Sequence, residues 1–308
     1  MLKLRLKNLN RKESIMIKNK LKLSLLLFIF ITLLFSTTGL ASDVEIILND
    51  LDIRQGEIIK VTLKSNTLDL KSAEYRAEFA GNSFSFYQGN NNSLETFIAA
   101  SYWTQTGIHN LKIKENNNYI YHKNIKVQKG NFPESWIEVS EDKEKLVRPD
   151  EEDKALQEKL KEDREKVTRA RHNSSNHKLY DNNFIWPLKG TISTDFGATR
   201  YVNGSLQSRH SGIDIAAPIG TPVKATNTGI VTLAADLTVT GKTIIIDHGH
   251  NIFSAYAHLS EMNVDKGEKV NKGAKIGEIG STGFSTGPHL HWTIKVSNIF
   301  VNPKVFIN

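Results

Sequence analysis

Two histidines near the carboxy terminus have the spacing of a paired site. His289 and His291 stand two residues apart in the run Gly-Pro-His-Leu-His-Trp at 287–292, which leads into an apolar stretch. In a β-strand, residues i and i+2 point to the same face, so both imidazoles would project into one site while Leu290 and Trp292 face the opposite layer. Adjacent imidazoles suit either joint metal ligation or one ligand beside one acid–base group, and the pair alone leaves both possibilities open.

Further candidate ligands lie upstream. His210 precedes Asp214 by four residues, in a run that contains Gly212 and ends at Pro218. The glycine and the proline argue against a helix, so a strand-and-turn geometry must bring the two side chains together. With His291 they would supply two imidazoles and one carboxylate, the ligand set of an open tetrahedral catalytic zinc site. Zinc held in this way lowers the pKa of water toward ~7 and polarises a carbonyl.

Two histidines are available for proton transfer. His258 lies in the run Tyr-Ala-His-Leu at 256–259, and His289 stands beside the proposed ligand His291. A hydrolase needs one group that takes a proton from water and one that stabilises the intermediate or protonates the leaving amine. Imidazole suits both tasks near neutral pH. The chain contains no cysteine, which excludes disulfides and a thiolate metal site.

Four separate motifs resemble those of the lysostaphin-type (LytM-like) zinc metallopeptidases. The resemblance implies zinc ligation by His210, Asp214 and His291, with His258 and His289 as the catalytic histidines. It also implies a glycine-rich β groove and hydrolysis of peptide bonds in peptidoglycan stems or cross-links. The motifs are His-x-x-x-Asp at 210–214, Gly-x-Asp-Ile-Ala-Ala-Pro-x-Gly-Thr-Pro-Val at 212–223, Tyr-Ala-His-Leu at 256–259 and Gly-Pro-His-Leu-His at 287–291.

Departures from the family pattern are small. Trp292 and Thr293 stand where Phe and Glu are frequent, and Phe284 occupies a loop position that is often polar, which could alter subsite preference. The loop at 197–208 would border the groove. Tyr201 in this loop is a candidate for oxyanion support, with an ordinary loop tyrosine as the alternative.

The histidines outside the five-residue set are interpreted from their context. His248, in Asp-His-Gly at 247–249, is expected to be structural or to support the ligands from behind. His250, His172 and His177 are expected to be solvated loop residues. None of them is needed for the proposed chemistry.

The elements that must position the site are short strands. Within 181–308, glycines separate runs of β-branched residues and helix patterns are absent, which predicts an all-β catalytic domain; the resemblance covers it from Phe184 onward. Residues 42–130 contain about seven further strand-like runs broken by turn residues. That spacing is typical of a small antiparallel sandwich, so we predict an immunoglobulin-like accessory module without a disulfide. The fold class is therefore all-β.

Residues 131–180 have a different composition. The stretch 150–171 is dense in charges of both signs, Pro149 suits a first helical position, and Arg169 and Arg171 complement the negative end of a helix. We predict a charged, largely solvated helical linker with a thin apolar stripe. It either serves as a spacer or, together with the amino-terminal module, folds over the groove and autoinhibits the enzyme.

The amino terminus has the pattern of an export signal. Basic side chains precede a thirteen-residue, mostly apolar run from Leu23 to Phe35, and the small residues Gly39 and Ala41 follow it. This predicts a secretory signal peptide at 1–41, cleaved near Ala41, because a membrane-spanning helix needs ~20 apolar residues. An uncleaved membrane anchor is the alternative.

The excess positive charge lies in the same leader. Residues 1–42 hold eight basic side chains and one acid, which accounts for the whole net charge of +7, so the remainder is neutral. A nucleic-acid-binding protein would carry its excess charge on a folded face. We therefore predict neither nucleic acid nor, beyond the signal peptide, a membrane as a partner.

The ligand pattern, the leader and the family resemblance together predict a zinc endopeptidase exported to the periplasm or cell envelope; the resemblance implies peptidoglycan peptides as its substrate. One alternative is a non-enzymatic regulator that activates other wall hydrolases, but such relatives lack part of the five-residue set. A second alternative is a wall-binding protein whose main function lies in residues 42–130.

Overall fold

The structure, a computed structural model, describes residues 44–181 and 183–307. The predicted signal peptide at 1–41 lies outside the described residues. Val44–Asn308 form one compact unit, in which strands predominate and helices are few, so the all-β prediction is confirmed. In the described part of the chain, no helix has both the length and the apolar character that crossing a membrane requires.

The amino-terminal region consists of two sheets. Their strand orders are β1-β3-β7-β6 and β2-β9-β8-β4-β5, and all pairs are antiparallel except β2–β9. Buried residues of both sheets, such as Val61 and Ile113, belong to one core, so the sheets pack as a sandwich; its immunoglobulin-like type stays a prediction. The strands are β1 (Glu45–Leu48), β2 (Asp52–Arg54), β3 (Ile58–Lys64), β4 (Tyr75–Phe79), β5 (Asn82–Ser85), β6 (Tyr87–Gln88), β7 (Ser93–Ala99), β8 (Gly107–Glu115) and β9 (Asn118–Gln128).

The linker contains three short elements, namely β10 (Glu134–Ile137), α1 (Glu141–Lys145) and α2 (Lys154–Ala170). The α2 helix confirms the helical expectation for this segment, but it begins later than Pro149 suggested. Asp153 caps it, because its Oδ1 accepts a hydrogen bond from the Leu156 N–H at 3.0 Å.

The carboxy-terminal region is built on a ten-stranded sheet. Its main path is β11-β14-β21-β18-β17-β16-β19, with β15, β20 and β22 joined to its sides. The strands of the region are β11 (Thr191–Thr194), β12 (Thr199–Val202), β13 (Ser205–Arg209), β14 (Ile213–Ala216), β15 (Pro222–Lys224), β16 (Gly229–Leu237), β17 (Gly241–Asp247), β18 (Ile252–Met262), β19 (Lys269–Val270), β20 (Lys275–Ile279), β21 (His289–Val296) and β22 (Ile299–Val301).

The linker packs against the carboxy-terminal region. β10 pairs in parallel with β12, and β12 pairs antiparallel with β13, which makes a separate three-stranded sheet. Val167 and Ala170 of α2 pack against Leu237 and Phe253 of the ten-stranded sheet. The opposite side of α2 is exposed and charged. The linker is therefore held by packing and by strand pairing along most of its length.

The predicted alternation on β21 is present. Leu290 and Trp292 are fully buried, whereas His289 and His291 remain partly exposed on the other side. Burying one face of a strand fixes which residues face the core. This face selection turns both histidines toward one groove.

Candidate active site

Three side chains of the carboxy-terminal region converge on one point. His210 Nε2, Asp214 Oδ1 and His291 Nδ1 lie pairwise 2.8, 2.9 and 2.8 Å apart. Among the described residues, they form a group whose ligand atoms could hold one metal ion. Two imidazole nitrogens with one carboxylate oxygen match the donor set of a catalytic zinc site. The structure therefore brings the three proposed ligands together.

The register of two neighbouring strands places two of these ligands. Asp214 on β14 lies opposite His291 on β21, which puts their side chains on the same face of the sheet. His210 sits in the turn just before β14. Gly212 allows the close approach of this turn to β21, because a Cβ at this position would lie 2.3 Å from the carbonyl oxygen of Trp292.

A carbonyl partner on the second nitrogen sets the tautomer of His210, and a hydroxyl that can accept a hydrogen bond lies near the second nitrogen of His291. His210 Nδ1 donates to the carbonyl of Asp195 at 3.0 Å, and His291 Nε2 lies 3.4 Å from the hydroxyl of Ser211. With these protons directed outward, the lone pairs of His210 Nε2 and His291 Nδ1 face Asp214 Oδ1. Three acceptors cannot satisfy one another by hydrogen bonding, whereas a divalent cation attracts all three. The donor set fits zinc.

The other oxygen of the carboxylate has a partner that the sequence did not suggest. Arg200 on β12 donates from Nη2 to Asp214 Oδ2 at 2.9 Å. Burial opposes ionisation of Asp214, but the adjacent imidazoles of His210 and His291 outweigh it and hold the pKa of this carboxyl well below its usual range. Arg200 thus fixes the plane of an ionised ligand. Its only signal in the sequence was its place in the loop predicted to border the groove.

The two remaining histidines are oriented by residues 282–287, which we call the orienting loop. His258 Nδ1 donates to the carbonyl of Thr282, and His289 Nδ1 donates to the carbonyl of Gly287, each at 2.8 Å. Each ring therefore carries its proton on Nδ1 and a lone pair on Nε2. The carbonyl partners could not be found from sequence, because any residue can supply one.

These two rings lie beside the ligands. The ring centroids of His258 and His289 are 4.8 Å apart, and those of His258 and His291 are 6.1 Å apart. His289 Nε2 is 3.8 Å from Asp214 Oδ1. Burial, reinforced by the neighbouring imidazoles, lowers the pKa of His258 to about 3, and burial lowers the pKa of His291 to about 4. Both imidazoles are therefore neutral at pH 7, as the predicted ligation by His291 and proton acceptance by His258 would require.

A β-bulge directs His258 into the site. Tyr256 pairs with Ile244 and Leu259 pairs with Lys242, so two residues of β18 stand opposite one residue of β17. His258 has a φ of 62°, a left-handed conformation that costs a non-glycine residue about 1–3 kcal/mol. Bulges commonly re-aim a side chain beside an active site, and here the local strain accompanies a ring turned toward the ligands.

Tyr201 is not among the side chains brought together. Its ring stacks on Trp136, with centroids 4.0 Å apart and an interplanar angle of 7°. Successive side chains on a strand point to opposite faces, and the preceding residue, Arg200, is the one that contacts Asp214. The position of Tyr201 therefore does not support the suggested role in oxyanion stabilisation.

Two other histidines have packing roles. His248 is fully buried, with Nδ1 2.8 Å from the carbonyl of Thr228 and Nε2 2.7 Å from the hydroxyl of Ser254. His250 is only 6% exposed, and its ring stacks on Tyr87 of the amino-terminal region at 4.8 Å. The expectation that His250 is solvated is wrong, because its partner lies in a distant part of the chain.

A cavity of about 280 Å³ opens beside the ligands. Phe284 contributes an aromatic wall, and Ile137 reaches the cavity from the linker strand β10. The cavity therefore combines apolar walls with polar groups close to the proposed chemistry. Its lining consists of Ile137, Ser193, Thr194, Arg200, Asp214, Ala216, Phe284, Ser285, Thr286, Gly287, Pro288 and His289.

A solved structure shares the overall architecture. A candidate M23 peptidase from Pseudomonas aeruginosa superposes with a TM-score of 0.61 at 24% sequence identity, covering 84% of this chain and 96% of that one. At this level of identity the likeness concerns the fold. It extends well beyond the carboxy-terminal region.

Two relatives match part of this chain in sequence. The peptidoglycan DD-endopeptidase ShyA of Vibrio cholerae is 43% identical over 93 residues, which are 30% of this chain and 22% of that protein. The DD-carboxypeptidase/endopeptidase Mpg of Neisseria meningitidis is 41% identical over 120 residues, which are 39% of this chain and 28% of that protein. The chain thus spans less than a third of the length of these relatives.

The matched region contains the converging ligands. The model of peptidase family M23 matches residues 208–303, a span that includes His210, Asp214, His258, His289 and His291. Residues 208–303 of this chain therefore carry a peptidase M23 domain.

Proposed function

We propose that this protein is an exported zinc endopeptidase that hydrolyses peptide bonds in the stems or cross-links of peptidoglycan. The observation that carries the proposal is the convergence of His210, Asp214 and His291, with His258 and His289 beside them. The site lies in a region matched by a peptidase family, and the named relatives are a peptidoglycan DD-endopeptidase and a DD-carboxypeptidase/endopeptidase.

His210, Asp214 and His291 would hold the zinc ion. When bound, zinc supplies Lewis-acid chemistry, since it lowers the pKa of water and polarises a carbonyl. The chain itself prepares the ligands. The Asp195 carbonyl and Arg200 fix the ring of His210 and the carboxylate plane of Asp214, and outer partners of this kind raise ligand basicity and hold ligand geometry.

The proton transfers are assigned to His258 and His289. With Nδ1 bound to the orienting loop, each ring offers Nε2 to the groove. The hydrogen bond from Nδ1 to the Thr282 carbonyl leaves the lone pair of His258 on Nε2, so this nitrogen can accept a proton from the attacking water. His258 then returns that proton to the leaving amine, and His289 Nε2, close to Asp214, is placed to stabilise the charged intermediate when it carries a proton taken up from solvent.

Peptide substrate would bind along the cavity beside the ligands. Phe284 and Ile137 supply apolar contact there, while Arg200 and Thr286 supply polar groups. Of the family departures, Phe284 is the one that lines this cavity, so it is the residue expected to tune subsite preference.

Export to the periplasm or cell envelope is proposed from the leader-like sequence at 1–41. Its basic start, apolar run and small residues near Ala41 support cleavage by a signal peptidase. Peptidoglycan lies outside the cytoplasm, so an exported enzyme would meet its substrate there.

The test is release of defined fragments from purified peptidoglycan. The full chain loaded with zinc should generate new muropeptides, identified by mass spectrometry, and the pattern names the bond that is cut. A chelator should stop the reaction, and zinc should restore it. Protein with stoichiometric zinc that releases no fragment would contradict the proposal and favour a non-enzymatic regulator.

A further inference from the structure

Hydrogen bonds within the orienting loop hold its backbone in place. Ser285 is almost fully buried, and its hydroxyl donates to the Gly287 carbonyl at 2.8 Å, the same carbonyl that receives the Nδ1 proton of His289. The Ser285 hydroxyl also lies 3.3 Å from His289 Nδ1. Any displacement of Ser285 would therefore move the acceptor that sets the orientation of His289.

The linker contacts this loop at the same residue. Lys143, on α1, donates from Nζ to the backbone carbonyl of Ser285. A few residues earlier, Ile137 on β10 lines the cavity beside the ligands. The linker therefore touches both the wall of the groove and the loop that orients His289.

The position of α1 is fixed by polar contacts at its far end. Arg148 donates from Nη2 to the carbonyls of Ser205 and Leu206 at 3.0 and 3.3 Å, and from Nη1 to Glu144 Oε1 at 2.7 Å. These contacts anchor the end of α1 to the β12–β13 hairpin. Charge-assisted hydrogen bonds such as these are stronger than neutral ones.

The near end of α1 is fixed as well. β10 pairs with β12 over four residues, from Glu134 to Ile137. Asn203, at the tip of the hairpin, accepts from the Val139 N–H at 3.0 Å and donates to Glu144 Oε2 at 2.6 Å. Because contacts hold both ends of α1, the backbone that carries Lys143 is fixed relative to Ser285.

We propose that the segment 134–148 forms a wall of the catalytic groove that supports turnover. We also propose that Lys143 is a positioning residue for His289. The inference rests on the proposed endopeptidase function. Lys143 acts through Ser285 and Gly287, and it touches neither the ligands nor the substrate atoms that react. This role is the opposite of autoinhibition: loss of the contact lowers the turnover rate, whereas loss of an inhibitory contact would raise it.

Point variants of the full, zinc-loaded chain test the proposal. Lys143→Met keeps the length of the side chain but removes the donor, so kcat on peptidoglycan should fall about tenfold, the lower end of the usual effect of outer supporting residues. KM, zinc stoichiometry and the melting temperature should stay close to wild type. Lys143→Arg retains a donor and should recover most of the activity.

The matched control is Lys145→Met on the same short helix. Lys145 pairs with the exposed acids Glu141 and Asp150, at 3.0 and 3.6 Å, and its loss should leave kcat unchanged. Equal kcat for Lys143→Met and wild type would overturn the proposal, and a higher kcat would show that the contact is inhibitory.

A spectroscopic readout separates this inference from the proposed function. The Nδ1–H of His289, assigned by NMR with His289→Ala as the reference, should give a sharp signal in wild type and in Lys145→Met. In Lys143→Met it should broaden or vanish. An unchanged signal refutes the positioning role even if the protein proves to have no hydrolase activity, because the hydrogen bond to Gly287 exists without turnover.

Discussion

The amino-terminal and carboxy-terminal regions are both built from short strands around apolar cores, but they bury different polar groups. Within 44–128, the buried polar side chains are serines and threonines, such as Thr62 and Ser93. The carboxy-terminal region buries aspartates and histidines, among them Asp214, Asp247 and His258. Hydroxyls find local partners at small cost, whereas a buried ionisable group is expensive unless it is paired. The proposed active site therefore lies in the region that buries ionisable groups.

Two buried aspartates of the carboxy-terminal region, Asp247 and Asp214, differ in the groups that surround them. Asp247 accepts hydrogen bonds from Ser174 Oγ at 2.6 Å, the Ser175 N–H at 2.7 Å and the Gly249 N–H at 2.8 Å. These partners are neutral, and they attach the end of the linker to the sheet. Asp214 instead faces groups that can carry or bind positive charge. A buried carboxylate is thus structural or functional according to the groups around it.

The largest expected effect comes from removing imidazoles of the site. His291→Ala should lose both zinc and activity, because one of three ligands is gone. His289→Ala should keep zinc yet lose about 10²–10⁴-fold in kcat, the usual contribution of an acid–base group. Zinc stoichiometry and peptidoglycan hydrolysis measure the two effects. Normal hydrolysis by His289→Ala would show that the assigned role is wrong.

A core substitution in the amino-terminal region should change stability and leave the chemistry intact. Phe84 is fully buried on β5, so Phe84→Ala should lower the free energy of unfolding by about 3–5 kcal/mol. Ile108 on β8 is 63% exposed. Ile108→Ala should therefore change the free energy of unfolding by less than about 0.5 kcal/mol. Urea unfolding measures both variants. A changed kcat in the folded Phe84→Ala protein would contradict the expectation that the amino-terminal region affects stability and not the chemistry.

Arg200→Gln should weaken zinc binding by about 10–100-fold, because Asp214 loses the partner that fixes its plane. Competition with a chelator measures the affinity. Arg209→Gln on the neighbouring strand β13 is the control, since that guanidinium lies over the rings of Trp103 and Phe132. Equal zinc affinity for Arg200→Gln and wild type would show that Arg200 does not contribute to zinc binding.

The smallest effect concerns the contact between the two regions. Burial, with the charge of Lys178 adding to it, lowers the pKa of His250 from 6.5 to about 4. The unfolded chain therefore takes up this proton first as the pH falls. The stability contributed by neutral His250 is complete above pH 6.5 and is lost progressively toward pH 4. The loss should be about 1–2 kcal/mol, less than the whole change in the pKa of His250 would give, because nearby solvent screens part of the interaction.

Substitution of His250 isolates this contribution. His250→Asn tolerates the left-handed φ of 54° at this position and removes the titrating group. Its free energy of unfolding should decline less than that of wild type between pH 7 and pH 4.5. His177→Asn, at an exposed histidine, should behave as wild type. Parallel pH curves for wild type and His250→Asn would contradict the expectation.

Much of the site was predictable because local patterns encode it. The alternation on β21 was enough to place His289 and His291 together and to bury Trp292 behind them. The separation of His210 and Asp214 by a glycine turn indicated a shared site without a helix. These inferences depend on periodicity and residue type, which short stretches of sequence carry.

Other features depended on pairing between distant segments. Tyr201 and Arg200 are neighbours in sequence, and the register of β12 turns Arg200 toward the ligands and Tyr201 toward Trp136. The charge density of the linker indicated a solvated helix, but it gave no sign that β10 would pair with β12. A four-residue strand shows too little periodicity for its pairing partner to be predicted from the sequence.

The sequence by itself determined the chemistry that is possible: which residues can ligate a metal, which can transfer protons, and that strands must carry them. The tertiary structure alone decided how each group is held, through Arg200 on Asp214, the orienting loop on His258 and His289, and Lys143 on that loop. The physical reason is that residue type fixes donors and acceptors, while orientation depends on backbone carbonyls and side chains that only folding brings within hydrogen-bond distance.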